Sequence, residues 1–134
     1  MNNPAARLTT VSTRSPATAP PTAASSIEAN VRGASSAEFP KKSFTVRLDD
    51  TLGRDHPLPL YGLPAFAKWT PIGPWNYDRT FLNNAVIYAL SNRLGRWAPR
   101  TRAVEVFFNQ NGGKLDYSDY AGVYILTEKI KTAE

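Results

Sequence analysis

The first thirty residues set the strongest limit on what this chain can fold into. Met1 to Asn30 is rich in Ala, Thr, Pro and Ser and contains no aromatic residue. A stretch of that composition cannot bury enough apolar surface to offset the conformational entropy lost on ordering it. Residues 1–30 are therefore expected to form a disordered tail or linker, and the core must come from residues 31–134. That length suits one small domain.

Charge and composition narrow the function classes. The chain carries a formal net charge of +5. Its Lys and Arg residues are scattered, with no run of five that would mark a nucleic-acid arm, so no nucleic-acid partner is expected. Phosphate-bearing ligands are permitted by this charge and not demanded by it. There is no cysteine, which excludes disulfides and thiol-based nucleophiles or metal sites. No stretch approaches the ~18 apolar residues of a membrane span, so no transmembrane segment is expected. The N-terminus lacks the apolar core of a signal peptide. Either the protein stays in the cytoplasm or its true start lies upstream of Met1.

Ser43 to Leu48 alternates cleanly, with Phe44, Val46 and Leu48 on one face, and predicts a half-buried strand that starts after Pro40. Asp49 to Pro64, with Gly53, Pro57, Pro59, Gly62 and Pro64, reads as a loop. Asp78 to Leu94 predicts the one long helix. Asp78 is its N-cap, Leu82, Val86, Ala89, Leu90 and Leu94 form one apolar stripe, and Gly95 is the left-handed C-cap ahead of Pro99. The stripe is expected to face the strands. Ala103 to Asn109 and Tyr120 to Thr127 predict two strands of a hairpin, joined through the turn signal Asn111-Gly112-Gly113. The result is an α+β fold: a small antiparallel sheet with one main helix.

Four segments, taken in order, carry a family resemblance. They are Arg32-Gly33-Ala34-Ser35-Ser36 with Phe39-Pro40-Lys41-Lys42-Ser43-Phe44; Trp69 leading to Tyr77-Asp78-Arg79-Thr80; Leu94-Gly95-Arg96-Trp97-Ala98-Pro99-Arg100-Thr101-Arg102; and Asp119-Tyr120-Ala121-Gly122-Val123-Tyr124-Ile125-Leu126 with Glu128-Lys129-Ile130. Together they resemble the CotH (spore coat protein H) family of atypical protein kinases. The resemblance implies a diverged protein-kinase-like fold that transfers phosphate from ATP, with Mg or Mn, to a protein of the spore coat or cell surface. It further implies that this chain corresponds to the small lobe that covers ATP and stops before the later aspartates that bind metal and position the acceptor. On that basis no catalytic residue and no metal ligand is expected within it, and the chain alone is expected not to transfer phosphate. It departs from the family pattern at Ala37-Glu38, where a large residue is usual, and at Asn83-Asn84 in the helix.

The candidate nucleotide contacts are Ser35, Ser36, Lys41, Lys42 and Glu128. Phosphoryl transfer needs a cation on the transferring phosphates, and a lysine at the start of a sheet strand supplies a point charge. Alternation puts Lys42 on the Phe44 side, toward the cleft, and Lys41 on the polar face. Two solvated lysines are the plainer alternative. Gly33 permits close backbone approach, and Ser35 and Ser36 carry hydroxyls that can donate to phosphate; a surface loop is the alternative. Glu128 to Ile130 reads either as the hinge whose backbone meets adenine or as an ordinary strand end. The helix offers no Glu or Asp to pair with a kinase-type lysine, and only Asp78 or Glu105 could substitute. His56 reads as a solvated loop residue, and Trp69, Trp75 and Trp97 as core or rim packing. A noncatalytic spore-coat or cell-surface binding or assembly module on the same scaffold is the alternative function, and a gene fragment without function is the third reading.

Overall fold

The computed structural model describes residues 25–75, 78–109, 112–114 and 116–130. Strands form where alternation predicts them and at two further places. β1 (Ser26–Arg32), β2 (Ser43–Asp49), β3 (Lys68–Ile72), β4 (Thr101–Phe107) and β5 (Tyr120–Glu128) form one antiparallel sheet in the order β1-β2-β3-β5-β4. One α-helix lies among the described residues, α1 (Asn83–Arg93), between β3 and β4. The fold is α+β and mostly sheet.

β1 corrects the tail boundary. Ile27, Ala29 and Val31 stand opposite Leu48, Val46 and Phe44 in an unbroken register. They alternate with Glu28 and Asn30, a period-two signal that the averaged composition of residues 1–30 hides. Residues 1–24 of the expected tail lie outside the described residues.

β3 fills the centre of the sheet, and no alternation longer than Lys68-Trp69-Thr70 announces it. Pro71 is tolerated there because β2 pairs with β3 only at Lys68 and Trp69. Past Trp69 that flank has no ladder for the missing N–H to interrupt. The β4–β5 hairpin forms as expected, with Val104 opposite Tyr124 and a bulge between Val106 and Phe107. A 3-10 turn (Tyr117–Asp119), closed by reciprocal hydrogen bonds between Asp116 and Asp119, leads into β5.

The buried core is Leu48, Leu63, Trp69, Val104, Tyr124 and Leu126. Leu63 comes from the expected loop, and Leu58, Leu60, Tyr61 and Phe66 pack beside it. This segment is held by a bridge between Leu58 and Phe66 and by a Leu63 N–H to Leu60 carbonyl bond of 2.8 Å. A folded-over loop thus covers the apolar face of the sheet. Burial also pushes the Tyr61 phenol up to about 12.

That cover explains where the helix expectation fails. The half-buried residues of α1 are Asn84, Ala85, Tyr88 and Ser91, whereas Leu82, Val86 and Leu90 are between 49% and 57% exposed. The apolar stripe faces outward. The helix also starts later than Asp78. Phe81 adopts a left-handed backbone (φ 60), which interrupts the turn, and the Asp78 carboxylate instead accepts from the Asn83 N–H at 3.2 Å and the Thr80 hydroxyl at 3.1 Å. Gly95 is left-handed (φ 76), as expected, and its N–H reaches the Asn92 carbonyl at 3.1 Å. Leu90→Ala should therefore change stability by less than about 0.5 kcal/mol in chemical denaturation, the range for exposed positions. A loss of about 2–5 kcal/mol, the range for a buried leucine, would return the stripe to the core.

Candidate functional site

Three strand ends meet at one end of the sheet: the residues entering β2, those leaving β3 and the start of β5. Lys41 lies among them. Its ammonium donates to the Val123 carbonyl and sits 4.6 Å from the ring centre of Phe81 and 4.9 Å from that of Tyr124. Gly73 makes this closeness possible. A Cβ there would come within 2.8 Å of both the Lys42 carbonyl oxygen and Tyr124 Cε1, and within 3.2 Å of Lys41 Cγ. Gly73 is further tied to β2, its N–H donating to the Ser43 hydroxyl at 3.0 Å.

No carboxylate among the described residues pairs with Lys41. Burial holds its ammonium below the ordinary lysine value, because removal from water disfavours the charged form. The two aromatic faces and one carbonyl offset part of that cost. An anion reaching this point meets a cation without a competing counter-charge.

Lys42 has other surroundings. Its ammonium donates to the carbonyls of Ala37 at 2.7 Å and Phe39 at 3.5 Å, closing the end of the 3-10 turn Ser35–Glu38 that carries Ser35 and Ser36. Gly33 precedes that turn with φ 103, and a Cβ on it would lie 2.0 Å from the Ser36 hydroxyl oxygen. The environments of the two lysines are thus the reverse of those that alternation predicts. β2 begins at Ser43, so both lysines precede the pleat and its periodicity does not reach them.

Glu128 lies at the far end of β5, five residues beyond Val123 and so roughly 16 Å from it. Its side chain is 1% exposed, and Oε1 accepts from Arg100 Nε at 2.8 Å and Nη2 at 2.7 Å. The carboxylate is engaged in joining β5 to the segment before β4. Asp78 caps α1, and Glu105 accepts the Tyr120 hydroxyl at 3.4 Å. Neither meets Lys41 or Lys42, so neither replaces the helix glutamate of a kinase-type pair. Trp69 is core as expected, while Trp75 and Trp97 are exposed. His56 stays in its loop, and the described residues contain no group of three His, Asp or Glu that could hold a metal ion.

The family model for CotH kinase protein matches residues 29–134. The chain belongs to the CotH kinase family. Searches of the curated proteins and of the solved structures return no match. The CotH match begins at Ala29, inside β1, so the matched region takes in the second half of that strand, including Ala29 and Asn30, which composition alone assigns to the tail.

Gly73 and Phe81 are the candidate-site residues that sequence reasoning misses. The signal for the first is the pair of helix-incompatible prolines around Ile72-Gly73, which marks a short extended run. Nothing in the local sequence announces the left-handed Phe81.

Proposed function

We propose that this chain is the phosphate-holding small lobe of a CotH-type protein kinase, whose whole enzyme transfers phosphate from ATP to a protein of the spore coat or cell surface. The observation that carries this reading is Lys41, a partly desolvated ammonium with no carboxylate partner among the described residues. A nucleotide phosphate supplies the missing counter-charge through a charge-assisted hydrogen bond. Ser35 and Ser36 donate to the same phosphates from the turn beside β1, and Lys42 is a positioning residue that fixes this turn through the Ala37 and Phe39 carbonyls. The backbone at Glu128 to Ile130 receives the adenine, with the Glu128 carboxylate held back by Arg100.

The described residues gather no group of three His, Asp or Glu that could hold a resident Mg²⁺ or Mn²⁺. Their work is to bind and orient phosphate.

Calorimetric titration of the chain with ATP tests the reading. Lys41→Met should weaken binding by about tenfold or more with the melting temperature unchanged or raised, since the substitution also removes a desolvated charge. Equal affinities for the two proteins would contradict it.

A further inference from the structure

We propose that the outer face of α1 docks an acidic amphipathic helix of a separate protein. The face is built from Leu82, Val86, Leu90 and Leu94, with Ile87 beside them, all exposed. Its spacing of four residues forms a straight ridge, the row that interdigitates with the grooves of a second helix. A contiguous apolar patch of this kind on a small domain marks an interaction site, and the sheet has no use for it because the loop carrying Leu63 already covers the core.

Charge identifies the occupant. From Arg79 to Val104 there are five arginines and no acidic residue. Among the described residues, Arg79, Arg93 and Arg96 are exposed and pair with no carboxylate. They flank the ridge at both ends. A partner that buries the leucines must bring carboxylates to these guanidiniums. The chain's own residues 1–24 contain Arg7 and Arg14, four prolines and no acid, so they match neither the charge nor the helical shape. A second copy packed about a two-fold axis would set arginine against arginine. An anionic membrane would match the charge, but the i±4 ridge fits the groove of a second helix.

The test uses a fluorescent helical peptide carrying leucines on one stripe and glutamates elsewhere, titrated against the chain by anisotropy. A scrambled peptide of the same composition and vesicles of mixed phosphatidylcholine and phosphatidylserine are titrated in parallel. The proposal expects binding of the ordered peptide only, about tenfold or more weaker for Val86→Gln/Leu90→Gln and for Arg93→Glu/Arg96→Glu. Circular dichroism and ATP affinity should be unchanged in both variants, which separates this face from the Lys41 site. Equal binding of the scrambled peptide, equal binding by the variants, binding to vesicles alone, or sedimentation as a dimer that the Val86→Gln/Leu90→Gln variant dissolves would each overturn it.

Discussion

Trp69→Ala should cost about 3–5 kcal/mol in chemical denaturation and leave much of the chain unfolded at 25 °C. Trp69 is 1% exposed and stands in β3 between Val46 of β2 and Glu128 of β5. Its indole N–H donates to the Phe66 carbonyl at 2.9 Å, and its ring meets the Phe66 ring edge-on at 5.9 Å. Truncation therefore opens a cavity, leaves the Phe66 carbonyl with only the longer 3.3 Å bond from the Leu58 N–H and loosens the loop that covers the core. Trp97→Ala is the control. Trp97 is 65% exposed, and its loss should change stability by less than about 0.5 kcal/mol. Similar losses for the two tryptophans would mean that the central strand is misassigned.

Arg100→Ala should cost about 2–4 kcal/mol. The substitution leaves the Glu128 carboxylate buried with one weak donor, the Arg100 backbone N–H at 3.4 Å. The lower part of the range for a broken buried pair applies because Arg100 itself is 46% exposed and water can follow its removal. Adding Glu128→Leu should recover most of the loss, since replacing both members of a buried pair by apolar groups is close to neutral. A double variant as unstable as Arg100→Ala would show that the pair is not what holds β5 to the segment before β4.

The two substitutions bear on how much of the molecule was legible in the sequence. β2 and β4 were legible because each alternates over six residues or more, and β5 was legible as an apolar run, buried on both faces over residues 124–128, that follows a turn signal. Gly95 was legible because a left-handed C-cap has a local signature. β3 was not, since its pairing with β5 is a long-range fact and its five residues include a proline. β1 was hidden by the Ala- and Ser-rich composition around it. The stripe on α1 was read correctly as a stripe and assigned to the wrong side. Periodicity reports that a face is apolar and not what covers it, and here residues 58–66 had taken the place at the sheet. At the candidate site, Lys41 and Lys42 were singled out by their position before β2, but their separate surroundings depend on Gly73, Phe81 and the Ala37 carbonyl, which only the tertiary structure brings together. Glu128 was legible as a strand end, and its bond to Arg100, 28 residues away in sequence, was not.

The central claim is that Lys41 is a cation waiting for a phosphate. The most direct measurement is the titration of the Lys41 side chain by NMR, through its Cε shift, with and without ATP. Without nucleotide the amine should titrate below the ordinary lysine value, because burial disfavours its charge. A phosphate beside it favours the charged form, so ATP should move the titration to higher pH. The same sign predicts that ATP affinity falls as pH rises through the Lys41 titration. An Arg93 or Arg96 charge reversal should leave the shift intact, while Tyr124→Ala should alter it. A Lys41 titration that ATP does not move, under conditions where calorimetry shows ATP bound, would contradict the account.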